Sequence, residues 1–203
     1  MIESESNIEF EFPDNYKVIK FDSTDFYRNN FNALPGGKGV DFIASSTKQY
    51  FMIEVKNCYG HEADNRWRIG VDNSKRDKMP VSHDISDRDS LDIEAPQKVA
   101  MTIASLFGAF TSPVPLARCA ECIPLSNELF CNDFRTGTKK LFVLLILDGN
   151  FGNGIQTRTN AMIHKRIQDS MIKKLKWLRC TVLVVSSDSL SEGSIPITAR
   201  RKT

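Results

Sequence analysis

Two carboxylates and an ammonium, Asp41, Glu54 and Lys56, lie in two short apolar segments separated by the polar residues 45–49. In YFMIEVK, residues 50–56, strand alternation sends Phe51, Ile53 and Val55 to one side and Met52, Glu54 and Lys56 to the other. Asp41 opens the preceding segment, residues 40–44, and an antiparallel hairpin sets that start beside the end of the second strand. Asp41 and Glu54 are therefore expected to converge. Two carboxylates so placed repel unless a hard cation, Mg²⁺ or Mn²⁺, neutralises them and takes oxygen ligands and waters. A lysine beside that cation can orient or deprotonate a nucleophile and offset charge developing on a phosphate. The chemistry this predicts is phosphodiester hydrolysis. The plain alternative is an ordinary aspartate and a surface Glu/Lys pair.

The elements that must position these residues are legible around them. Residues 21–34 carry Phe26, Tyr27, Phe31 and Leu34 at near-helical spacing, with Asp22 or Ser23 as the cap, and Pro35, Gly36 and Gly37 end that helix. Residues 57–93 lose periodicity and read as a long loop or insertion. A helix is expected from Pro96, with Val99, Ile103, Leu106 and Phe110 on one face. After an irregular stretch, 112–138, the unbroken apolar run 141–147 reads as a strand buried on both faces. A helix over 159–178 and a strand over 181–186 complete a parallel crossover. The expected fold class is α/β in a single domain, residues 1–190, with 191–203 as a mobile basic tail.

The wider string around the three residues is LPGGKGVDFIA, residues 34–44, followed by IEVKN, residues 53–57. It resembles the PD-(D/E)xK nuclease superfamily, the restriction-endonuclease-like group that includes restriction enzymes, Holliday-junction resolvases and many phage and defence nucleases. The order helix, motif hairpin, helix, buried strand matches that superfamily's core over about residues 20–148. The resemblance implies a mixed central sheet flanked by helices, with a long insertion after the motif strand. It implies Asp41 and Glu54 as metal ligands, the Val55 carbonyl as a further ligand, Lys56 as the catalytic lysine, and DNA ahead of RNA as substrate. Many members act as homodimers. Val40 replaces the proline of the motif. A further carboxylate from the first helix is common in members, and here Asp22, Asp25 and Glu11 are the candidates.

Around this centre, Gly37 and Lys38 offer a phosphate-approachable turn or a plain turn, Gln97 and Lys98 open the next helix, and Arg66 and Arg68 flank Trp67 as a backbone-binding pair or a loop pinned to the core. His61, His83 and His164 lack metal spacing with one another and read as solvent-facing.

Composition sets the bounds. Hydrophobic residues are 41% and charged residues 26% of 203 residues, as in ordinary globular proteins, and no apolar run reaches membrane-spanning length. The acidic start, Glu3, Glu5, Glu9 and Glu11, is unlike a secretory signal, and the expected location is the cytoplasm. Five cysteines fit reduced thiols, although Cys119, Cys122, Cys131 and Cys180 leave a structural zinc site open. Residues 1–14 hold five acids and no base, whereas from Arg158 onward ten Lys or Arg face three acids, a polarity suited to a polyanionic partner. The sequence therefore predicts a metal-dependent nuclease. Its runners-up are an inactive nuclease-fold module that binds nucleic acid or a protein, and a zinc-stabilised interaction protein.

Overall fold

The structure is a computed structural model and describes residues 1–79, 84–112, 119–152, 159–193 and 195–202. His83 and Arg158 lie outside the described residues. The strands are β1 (Ile2–Glu5), β2 (Ile8–Glu11), β3 (Lys17–Lys20), β4 (Phe42–Ser45), β5 (Gln49–Asn57), β6 (Lys140–Asp148), β7 (Cys180–Val185) and β8 (Thr198–Arg201). The α-helices are α1 (Asp25–Asn29), α2 (Glu62–Asn65), α3 (Leu91–Thr111), α4 (Ile123–Leu129), α5 (Asp133–Thr136), α6 (Asn160–Lys174) and α7 (Ser187–Ser191).

The fold is mixed α/β. Its central sheet runs β3-β4-β5-β6-β7, antiparallel across the first three strands and parallel from β5 to β7. The continuous apolar run of β6 is explained by its place between β5 and β7, where both faces are covered. On one face Met52, Val143 and Leu145 pack with Leu91, Ala95 and Val99 of α3 and with Ile163 and Ile167 of α6. On the other, Phe51, Ile53 and Val55 pack with Ile8, Phe10 and Phe12, Leu190 of α7, Ile197 and Ala199. The alternation expected of β5 thus separates two cores.

Four expectations are corrected. Residues 21–34 form a 3-10 turn, the short α1 and a second 3-10 turn, and the cap is Thr24, whose side chain accepts from Tyr27 N–H at 3.1 Å. Helix α3 begins at Leu91, five residues before Pro96. Proline removes one backbone bond there. Asp92 anchors that first turn by accepting from Ser90 Oγ (2.6 Å), Ser170 Oγ (2.8 Å) and Lys174 Nζ (2.8 Å). The 57–93 segment contains α2 and three 3-10 turns, with Trp67 and Ile69 buried, so its described part is packed on the core.

The fourth correction concerns the C-terminus. Instead of a free tail, Thr198–Arg201 forms β8 and pairs antiparallel with β2 in a sheet ordered β1-β2-β8. Ile197 and Ala199 are buried, and Arg200 donates to Glu9 directly across the pair. The acidic start and the basic end meet as cross-strand partners, which is why neither is loose.

Candidate active site

The motif hairpin brings Asp41 and Glu54 together. Phe42 pairs with Ile53, which places Asp41 level with Glu54, and Asp41 N–H donates to Ile53 C=O at 3.0 Å. Asp41 Oδ2 accepts from Val55 N–H at 2.6 Å. A strand residue's N–H and C=O point to the same side, so the Val55 carbonyl faces the β4 side of β5 rather than β6.

Both acids are buried, Asp41 6% and Glu54 3% exposed. Burial and the neighbouring charge of Glu54 push the Asp41 carboxyl up to about 7, against the opposing pull of Lys98 and Lys56. Two ammonium groups answer this density of negative charge. Lys56 Nζ lies 2.8 Å and Lys98 Nζ 2.6 Å from Glu54 Oε1, and Lys98 Nζ is also 3.7 Å from Asp41 Oδ1. Burial disfavours the charged form of Lys56, but Glu54 and Glu94 more than offset it and hold the amine above the ordinary lysine range. Lys56 is therefore a cation and a donor in this state.

Glu94, on α3, is a charged neighbour of this cluster that the sequence reading missed. Its Oε1 is 3.6 Å from Lys56 Nζ and its Oε2 is 3.9 Å from Arg68 Nη2. Burial raises the Glu94 carboxyl, but Lys56, Arg68, Lys98 and Lys38 together hold it below the usual carboxylate range. The available signal was spacing, since Glu94 and Lys98 stand four apart on one helix face. With the helix taken to start at Pro96, Glu94 fell in a loop.

The other sequence candidates divide. Lys98 enters the site, while Gln97 is exposed. Gly37 spends its N–H on Leu34 C=O at 2.7 Å, and a Cβ there would lie 2.8 Å from that oxygen, so this glycine serves the turn. Lys38 is half-buried. Trp67 is 1% exposed, and the Arg68 guanidinium sits 5.3 Å from its ring centroid. Arg66 donates to Phe151 C=O at 3.5 Å. Of the three acids considered for the first helix, Asp22 is half-buried and feels Lys98, whereas Asp25 and Glu11 are exposed. His61 is exposed, but His164 is half-buried with its Nε2 unpartnered, and burial lowers its pKa.

A divalent cation is testable against these side chains. Glu54 Oε2 is buried and has no hydrogen-bond partner, a costly state for a carboxylate oxygen that a cation ligand would relieve. Asp41, Glu54 and the Val55 carbonyl are hard oxygen donors suited to Mg²⁺ or Mn²⁺. No group of three or more His, Cys, Asp or Glu side chains able to hold a metal occurs among the described residues, so water and substrate oxygens would complete the shell. The cysteines do not converge into such a group either: Cys119 and Cys122 are buried, and Cys131 donates to Glu128 C=O at 3.0 Å.

The family described as "Family of unknown function (DUF6661)" matches residues 24–197, and the chain belongs to it. No curated protein and no solved structure matches the chain. Among the described residues, no helix is long and apolar enough to cross a membrane.

Proposed function

We propose that this protein is a metal-dependent phosphodiesterase acting on nucleic acid, DNA ahead of RNA, with a restriction-endonuclease-like core. The observation that carries this reading is the unpartnered Glu54 Oε2, buried beside a second carboxylate whose proton affinity burial and Glu54 have raised. Asp41, Glu54 and the Val55 carbonyl would hold Mg²⁺ or Mn²⁺. The cation would supply Lewis-acid polarisation of the phosphate.

The chain's own residues supply the rest. The Val55 N–H fixes the Asp41 carboxylate, so its free oxygen is oriented before any ligand arrives. Lys56, held charged between Glu54 and Glu94, donates toward a non-bridging phosphate oxygen and stabilises the negative charge that grows there. Glu94 also faces Arg68 and steadies both cations at the rim. Lys98 neutralises the carboxylate pair, and with a cation held there its ammonium would be available to the phosphate backbone.

A second reading has its own support. Lys98 already compensates both carboxylates, as in a nuclease-fold module that binds nucleic acid or a protein without cutting. Incubating the chain with single-stranded, duplex and branched DNA and with RNA, in Mg²⁺, Mn²⁺ or chelator, separates the two. Cutting that the chelator stops supports the hydrolase; binding without cutting in any metal supports the module.

A further inference from the structure

Immediately beyond Lys56 the chain makes a turn whose design the hydrolytic site does not use. Cys58 N–H donates to Asp148 C=O at 2.8 Å, and His61 N–H closes the turn on Cys58 C=O at 2.9 Å. Gly60, at φ +81°, supplies the left-handed residue that the third position of such a turn demands. Tyr59 N–H donates to Asn57 Oδ1 at 3.0 Å, and the Asn57 amide is itself tied to Ser6 C=O at 2.9 Å. This well-tethered turn holds out a tyrosine that is 60% exposed.

The ring is oriented as well as exposed. Arg201, from β8, places its guanidinium 4.3 Å from the Tyr59 centroid. The guanidinium is in turn steadied by Asp148 Oδ2 at 3.7 Å and Asp188 Oδ2 at 3.6 Å. A ring covered on one face yet exposed overall presents its other face to solvent. Lys202 follows, exposed and without an ion pair among the described residues. An exposed aromatic face braced from behind by a guanidinium is an arrangement on which a nucleobase stacks.

We propose that Tyr59, braced by Arg201, is a stacking platform for an unpaired nucleobase adjoining the scissile phosphate, so that the preferred ligand is single-stranded nucleic acid. Tyr59 is three positions on from Lys56, at most about 10 Å at full extension, which is within the reach of neighbouring nucleotides. A duplex keeps its bases stacked on one another and offers nothing to this ring. The placement next to a scissile phosphate rests on the hydrolase reading; the platform itself does not.

The test measures binding of a short single-stranded DNA carrying a fluorescent purine analogue, quenched on stacking, to the full chain without divalent ions. Tight binding with quenching is expected, with duplex bound more weakly. Tyr59→Leu should weaken single-strand binding about tenfold and remove the quenching, while Tyr59→Trp keeps both. Arg201→Gln should lose part of the quenching. Unchanged melting temperature in Tyr59→Leu, expected for an exposed ring, ties any loss to the ligand. Equal affinity and quenching in Tyr59→Leu, or a wild-type preference for duplex, overturns the platform. A chain that shows Tyr59-dependent quenching but never cuts keeps the platform and loses the hydrolase; one that cuts while indifferent to Tyr59→Leu does the reverse.

Discussion

The backbone N–H of Val55 reaches the carboxylate of Asp41 at 2.6 Å, although the two are fourteen positions apart in the chain. This contact lies where the β4–β5 ladder ends, since Phe42–Ile53 is the last paired position of β4. The side chain of Asp41 takes over the acceptor role that the next strand residue would fill. A buried acid is thereby fixed in direction, and the adjacent Glu54 is forced to share its surroundings. The strain of the arrangement is electrostatic, and the predictions below follow from it.

Asp41 makes the metal-free chain less stable as pH rises. Its carboxyl is pushed up to about 7 by burial and by Glu54, so the folded chain binds this proton more tightly than the unfolded one. The penalty grows from the ordinary aspartate range through about pH 7 and is complete above it. Asp41→Asn should therefore stabilise the metal-free chain by up to about 4 kcal/mol at alkaline pH and by little at acid pH. Urea unfolding across pH checks this; a variant no more stable than wild type above neutrality contradicts it.

In the proposed hydrolase, Lys98 would compete with a cation for the same carboxylates. Lys98→Gln should therefore tighten Mn²⁺ or Mg²⁺ binding, by about tenfold if its loss removes even a modest share of the competing charge. Isothermal calorimetry reads this directly. Unchanged or weaker metal binding would show that Lys98 and the cation do not compete.

The C-terminal segment should be structural. Removing residues from 195 onward takes away Ile197 and Ala199, both buried, and the partner of β2. A loss of at least about 2 kcal/mol is expected from the isoleucine alone. Thermal melting of the shortened chain that matches the full chain would restore the picture of a free tail.

How much of this was legible follows from where the signals lie. The motif hairpin and the β6-α6-β7 crossover are written locally, in strict alternation and in an unbroken apolar run, so they could be read from short windows. Strands β1, β2 and β8 were not read, because each is four residues long and rich in charge, and the pair Glu9–Arg200 joins opposite ends of the chain. The cues were two period-two series, Ile8, Phe10, Phe12 and Ile195, Ile197, Ala199. The meeting of Asp41, Glu54 and Lys56 was readable from pleat and register; Glu94 and the inward turn of Lys98 depended on the true start of α3, which Pro96 disguised.

Away from the site, Glu128 stabilises the sheet edge. It accepts from Lys139 at 2.9 Å, from Lys17 at 2.6 Å and from Ser45, and these contacts outweigh burial and hold its carboxyl down to about 2. Because the folded value is depressed, the stabilisation is present above the ordinary glutamate range and is lost as pH falls through about 2. Glu128→Gln should cost about 3 kcal/mol, since it leaves the buried Lys139 ammonium without its carboxylate. Urea unfolding near neutral pH should show the loss, and an unchanged midpoint would mean Lys139 finds another partner.

In the proposed hydrolase the three motif side chains act as a unit. The most direct measurement is the rate of Mg²⁺- or Mn²⁺-dependent cleavage of single-stranded and duplex DNA by the wild-type chain beside Asp41→Asn, Glu54→Gln and Lys56→Ala, each shown by melting to be folded. The wild type should cut, and every variant should lose about a hundredfold or more. Cutting that survives all three substitutions, or a wild-type chain that binds these substrates and cuts none of them in either metal, would contradict it.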